Sequence, residues 1–309
     1  MTDPAIRLLS LGAGIQSTTL LLLSAEGRLP ALDGAVFADT GWEPAAVYAH
    51  LDRLEREVAD PAGIPIHRVS SGNIRDDALN PGKRFASMPL FILNPDGRPG
   101  MTRRQCTGAY KIKPIKRQVR QLLGFPHPRR VPEGRFAEQW IGISTDEFHR
   151  AKDSDVRYLR NRFPLIELGW SRSDCLHYLR TRGWHHTPKS ACLGCPYHGN
   201  AQWRHIRDTS PQEWEDVVDF DAAIRQGNAR ANATGNRLLG QAYLHRSRIP
   251  LSEAPIDHVT AADRAAHQQP LTNGESGAER LLEDGATEGC SPWSCRSGPS
   301  DQSGYDLTA

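Results

Sequence analysis

"LLSLGAGIQSTTLLLL", residues 8–23, is the stretch on which the fold turns. An apolar run breaks at Gly12-Ala13-Gly14, passes Gln16, Ser17, Thr18 and Thr19, and becomes apolar again. Glycines let backbone N–H groups approach an anion, and a helix N-terminus favours negative charge. A tight strand-to-helix turn with a hydroxyl cap has the same composition. The stretch alone therefore leaves a phosphate cradle and a plain turn both open. The flanking pattern adds the context. Ile6–Leu11 reads as a buried strand and Ser17–Glu26 as a helix ended by Gly27. Gly34–Ala38 is a second strand that stops at Asp39-Thr40-Gly41. Pro44–Val58 follows at helical spacing (Val47, Leu51, Leu54, Val58), and Ile64–Val69 and Gln139–Ser144 are further strands. Strands separated by helices predict βαβ units, an α/β fold with a parallel sheet and helices on both faces. Ligands of such sheets bind at the carboxyl ends of the strands. Gly12–Thr19, Asp39–Glu43 and Ser144–Arg150 are thus expected to share one cleft.

Residues 70–138 hold several Pro and Gly and one evident helix, Ile112–Leu123, which predicts a substrate loop. Helices are expected at Ser173–Arg182, Ala201–Arg207 and Pro211–Gln226. Beyond about Pro270 the chain is rich in Gly, Ser, Glu and Asp and poor in apolar residues, the composition of a disordered tail. The expected organisation is an α/β nucleotide-binding domain over 1–168, a smaller helical cysteine-containing region over 169–265 and the tail over 266–309.

A chain of 309 residues with net charge +2 can bury a substantial core. No apolar run approaches the roughly 18 residues of a membrane span, and no basic segment precedes the first apolar stretch. The expectation is a cytoplasmic protein with no membrane partner; nothing in the sequence indicates an oligomeric state. Charge is unevenly distributed. Arg98 to Arg130 holds ten Lys/Arg and no acid, whereas Pro270–Ala309 holds seven acids against Arg280 and Arg296. The basic block favours an anionic substrate or a nucleic acid, and is also what a solvated face looks like.

Three stretches together resemble one family. "GAGIQST" (12–18) is similar to the glycine-rich Ser-Gly-Gly-x-Asp-Ser loop of the PP-loop adenine-nucleotide superfamily. "ADTGWEP" (38–44) resembles the Asp-Thr-Gly turn of its PAPS (phosphoadenosine phosphosulfate) reductase-like branch. "IGISTDEFHR" (141–150) resembles that branch's Gly-Ile-Arg-x-x-Glu-Ser-x-x-Arg stretch. The resemblance covers roughly residues 5–225. It implies a Rossmann-like, HUP-type sheet and an adenine nucleotide, either ATP with Mg²⁺ or PAPS/APS. It assigns the nucleotide to Gly12, Ala13, Gly14, Gln16, Ser17, Thr18, Asp39, Thr40 and Gly41, with Ser17, Asp39, Glu147 and Arg150 as catalytic candidates. Asp39 would hold ribose or Mg²⁺, or else is a turn residue bonding its own backbone. Glu147 and Arg150 would share a helix face at the phosphates, or form a plain ion pair. The chain departs from the pattern at Gln16, where the loop has Asp, and at Ser144, where the branch has Arg. It also lacks the reductases' C-terminal Glu-Cys-Gly-Leu/Ile-His motif; "EGCSPWSC" (288–295) is not a match.

The chain has six cysteines: Cys106, Cys175, Cys192, Cys195, Cys290 and Cys295. Cys192-Leu-Gly-Cys195-Pro can point two thiolates at one ion, or act as a redox dithiol. Together with Cys106 in "RRQCTGAYKIKP" it resembles the cysteines of cluster-bearing APS reductases and tRNA-thiolating enzymes. That resemblance implies a metal site of Cys106, Cys192 and Cys195, with Cys175 or His198 as fourth ligand. Cys175, beside Leu176 and Leu179, reads equally as a core cysteine. Thiolates suit a [4Fe–4S] cluster or zinc. Arg103, Arg104, Lys111, Lys113 and Lys116 flank Cys106 and would suit a polyphosphate or the backbone of tRNA or DNA. The expected function is ATP-dependent adenylation with sulfur transfer to a small-molecule or nucleic-acid acceptor. The alternatives are a PAPS/APS reductase and a non-catalytic nucleic-acid-binding protein with a structural zinc.

Overall fold

The structure is a computed structural model that describes residues 3–83, 87–228 and 238–259. Five parallel strands form the main sheet: β1 (Ile6–Ser10), β2 (Gly34–Asp39), β3 (Ile66–Ser70), β6 (Ala137–Ile141) and β7 (Leu159–Arg162), in the order β3-β2-β1-β6-β7. The chain winds outward from β1 through β2 to β3, then returns to the other side of β1 with β6. The topological switch point therefore lies between β1 and β6, where Ser10 pairs with Ile141.

Alternation along these strands feeds a core on each face. Leu9, Ala35, Phe37 and Trp140 pack under α1 (Ile15–Ala25), α2 (Ala45–Leu54) and α6 (Arg172–Arg180). Leu8, Val36, Ala38 and Ala137 pack under Ile115, Val119 and Leu123 of α4 (Lys113–Leu122) and its C-cap. The Leu20–Leu23 run is buried at all four positions, which is why α1 is apolar on every side rather than amphipathic. α2 ends earlier than its periodicity predicts, passing into a wider π-type turn at Glu55–Ala59.

A third core lies beside the sheet. A small antiparallel sheet joins β5 (Pro99–Met101), β4 (Phe91–Leu93) and β8 (Gln241–Tyr243), packed with α7 (Asn200–Thr209) and α8 (Pro211–Ala223). Met88, Leu90, Trp203, Val217 and Phe220 fill it, joined by Trp42 from beyond β2 and Leu193 from the Cys-x-x-Cys segment. The stretch 70–138 is thus more ordered than an irregular loop: it holds α3 (Ile74–Leu79), β4, β5 and a π-type turn at Thr107–Ile112 leading into α4. Packing also interleaves along the chain. Residues 74–110 join the third core, whereas α6, which follows residue 168, packs on α1 in the first. The expected tail over 266–309, with Cys290 and Cys295, lies outside the described residues. Among the described residues no helix is long and apolar enough to cross a membrane.

Candidate functional site

The loop after β1 turns sharply because Ala13 takes a left-handed conformation, φ 56°, while fully buried. A non-glycine residue there is unfavourable by roughly 1 kcal/mol, so the surrounding packing enforces the turn. Gly14 caps α1, and the first helical bond runs from Thr18 N to Gly14 O at 2.9 Å. The amides of Ile15, Gln16 and Ser17 precede that bond and have no intrahelical acceptor. Ser17 Oγ accepts from Gly12 N at 3.2 Å and Gly14 N at 3.3 Å, holding the loop's own amides together. Gly142, after β6, presses on this turn so closely that a Cβ would lie 2.9 Å from Ser17 N.

Around the turn a pocket opens at the switch point, lined by the loop with Ser10, Arg150, Arg172, Lys189 and Ser190. Ser10 Oγ is buried there without a hydrogen-bond partner. Gln16 organises the wall: its amide Nε2 donates to Glu147 Oε2 at 3.0 Å, and its Oε1 accepts from Arg172 Nη1 at 3.1 Å. Glu147 is also ion-paired with the buried Arg150. The glutamine thus bridges an acidic and a basic side chain, a task that an Asp at position 16 could not perform with both neighbours. The pocket thus brings together a helix N-terminus, hydroxyls and three cationic side chains, groups that favour negative charge.

The three expected segments do not all line this pocket. Gly12, Gly14, Gln16, Ser17, Glu147 and Arg150 do. Thr18 is turned into the core, its hydroxyl 3.0 Å from Nε2 of His50, whose pKa burial lowers to about 4. Asp39 serves its own turn: Oδ1 accepts from Gly41 N at 2.7 Å and from Tyr48 Oη at 2.8 Å. Thr40 faces a second cluster. Its hydroxyl donates to Glu43 Oε1 at 3.0 Å and lies 3.3 Å from Cys192 Sγ. Arg172, Lys189, Ser190 and Ser10 are the residues that sequence reading misses. Lys189 and Ser190 stand in the same "KSACLGCP" run as the thiols, yet no periodicity distinguishes them from an ordinary loop.

Cys106, Cys175, Cys192 and Cys195 are present as thiols. Cys175 is fully buried in the core between α1 and α6 beside Thr19, and burial pushes its thiol up to about 12. His198 is buried and neutral, its pKa lowered to about 3. Its Nε2–H points at the carbonyls of Cys192, at 3.0 Å, and Leu193, at 3.1 Å. It therefore clamps the Cys-x-x-Cys backbone. Cys106 starts the π-type turn that carries Lys111, and Arg104 stacks over Tyr197, so its loop adjoins that of Cys195. Among the described residues, however, no three His, Cys, Asp or Glu side chains are grouped to hold one ion. Cys175 packs in the first core, whereas Leu193, between Cys192 and Cys195, packs in the third. Lys111 is buried against Glu43, Lys116 pairs with Asp155, and Arg120 and Arg130 line a groove at the amino ends of β6 and β7.

Comparison with protein-family models and with curated proteins finds no match.

Proposed function

We propose that this chain is a PP-loop adenine-nucleotide enzyme of the PAPS reductase-like type. ATP would bind as its Mg²⁺ complex, with its phosphates over the Gly12–Ser17 turn. The strand order and the ligand pocket at the β1/β6 switch point support a Rossmann-like, HUP-type reading of the sheet. The observation that carries the proposal is the convergence of the α1 N-terminus, the unpartnered Ser10 hydroxyl and the Arg150, Arg172 and Lys189 side chains on one pocket.

In this reading a substrate oxygen attacks the α-phosphorus of ATP and pyrophosphate leaves. The α1 amides and the three cations stabilise charge as it builds on the leaving group. Gln16 and Glu147 keep the arginines aligned. The adenylated carbon then accepts sulfur or another nucleophile, and the acceptor is a small molecule or a nucleic acid such as tRNA. We place the reaction in the cytoplasm.

Release of pyrophosphate and AMP from labelled ATP, measured alone and with tRNA or DNA, tests the reading. Absence of ATP binding with tight PAPS binding and sulfite release would replace it by the reductase. Nucleic-acid binding with no nucleotide binding at all would replace it by a non-catalytic binding protein.

A further inference from the structure

The geometry around the Cys-x-x-Cys segment suits a thiol chemistry of its own. Cys192 and Cys195 occupy the two ends of a hydrogen-bonded turn, with Cys195 N donating to Cys192 O at 3.1 Å. The turn is fixed from three sides. His198 donates to its carbonyls, Leu193 N donates to Trp42 O at 2.8 Å, and Gly194 lies flat on the Trp42 ring. A Cβ at residue 194 would fall 2.0 Å from Trp42 Cη2, so only glycine lets the turn seat. Thiols at the first and last positions of such a turn are within the range a disulfide spans.

The two thiols are not equivalent. Cys195 is partly exposed, whereas Cys192 is buried. Cys192 Sγ donates to Glu43 Oε1 at 3.6 Å, and Lys111 Nζ stands 3.6 Å from the same oxygen. The side chains of Lys111 and Glu43 are 7% and 2% exposed. Thr40, Cys192 and Lys111 all meet Glu43 at Oε1, and its Oε2 is buried without a hydrogen-bond partner. A buried carboxylate with one oxygen on a thiol and the other unengaged is positioned to take up and hand on a proton.

We infer that Cys192 and Cys195 form a redox-active dithiol, with Glu43 as its base, that exchanges with a disulfide-bearing partner. The exposed Cys195 thiolate attacks the partner's S–S bond, forming a mixed disulfide and releasing the first partner thiol. Glu43 accepts the proton of Cys192, whose sulfur attacks Cys195 Sγ. The mixed bond breaks, the second partner sulfur leaves, and Glu43 returns the proton to it. One partner disulfide is reduced to two thiols, and the protein dithiol loses two electrons and two protons to become a disulfide. The reverse sequence reduces the protein.

The full chain, titrated with oxidised and reduced glutathione, tests this. Trypsin cuts after Lys189 and Arg204, giving a Ser190–Arg204 peptide that holds Cys192 and Cys195 and no other cysteine. Mass spectrometry should show this peptide losing two hydrogens on oxidation. Cys192→Ser should trap a glutathione adduct on Cys195, while Cys195→Ser should leave Cys192 unmodified. Glu43→Gln should slow closure at least tenfold, so that the Cys195 adduct accumulates. A peptide that stays reduced in oxidised glutathione, or protein that purifies with a stoichiometric metal lost in Cys192→Ser, overturns the dithiol. Equal adduct formation on the two single mutants overturns the assignment of roles without needing Glu43→Gln to fold. Closure of Glu43→Gln at the wild-type rate removes the base.

Discussion

Replacing Gly142 by alanine places a methyl group where β6 and the start of α1 touch. The added carbon would sit 2.9 Å from Ser17 N and 3.1 Å from Gln16 C, whereas ordinary contact begins at 3.4 Å. Both neighbours are backbone atoms, so no side chain can swing away. Strand end and helix turn must separate by about 0.5 Å. Overpacking of this kind is unfavourable by about 1–3 kcal/mol, which for a chain of this size lowers Tm by roughly 2–10 °C. The same methyl covers one of the amides offered to the anion. Loss of a hydrogen bond to a charged group is worth about 1.5–3 kcal/mol, or roughly 10- to 150-fold in Kd. Calorimetric titration with ATP and with pyrophosphate, beside a thermal melt, reads both effects. The two ligands should weaken in parallel, because the lost contact is to phosphate and not to adenosine. A folded Gly142→Ala protein that binds both with the wild-type Kd would refute the placement of phosphate over the α1 turn.

Lys189→Met and Arg172→Met should each weaken pyrophosphate binding about tenfold or more and flatten its salt dependence, as titrations at two ionic strengths would show; unchanged slopes would remove these cations from the site. Cys175→Ala should lower stability by on the order of 1 kcal/mol and leave ATP affinity untouched. In the native protein Cys175 should resist iodoacetamide at pH 8, since its thiol is pushed up to about 12; rapid native-state alkylation there would contradict its burial. His50, His198 and His245 have pKa values lowered by burial to about 4, 3 and 4. Each binds its proton more readily unfolded than folded, so its stabilising effect is complete above about pH 6.5 and declines as pH falls toward the folded values. Tm should drop between pH 7.5 and 5, each histidine contributing on the order of 1–2 kcal/mol at pH 5; a flat profile would show that these rings are not held neutral.

The fold is legible where burial imposes a period. Strand β1, its glycine turn and α1 announce themselves because a sheet buried on both faces needs continuous apolar runs and the connection needs small residues. The small sheet is silent by contrast. Its strands, Phe91–Leu93, Pro99–Met101 and Gln241–Tyr243, are three residues each, too short to show alternation, and β8 pairs across a long sequence gap. The site divides in the same way. Gly12, Gly14 and Ser17 follow from what an anion requires of a backbone. Arg172 and Lys189 arrive from distant segments, and only tertiary packing reveals them. Asp39 and Thr18 are residue types suited to a ligand that the fold engages internally, Asp39 with Gly41 and Tyr48 and Thr18 with His50.

The interleaving of the cores has a consequence for how the protein comes into being on the ribosome. Leu193 and Trp42 belong to the third core, while Thr40 and Glu43 extend from a strand buried by the first two. Cys192 meets its carboxylate only when all of these have assembled. The last contributing elements, α7, α8 and β8, emerge after the thiols do. A nascent chain therefore carries Cys192 and Cys195 out before the elements that complete the third core have been made.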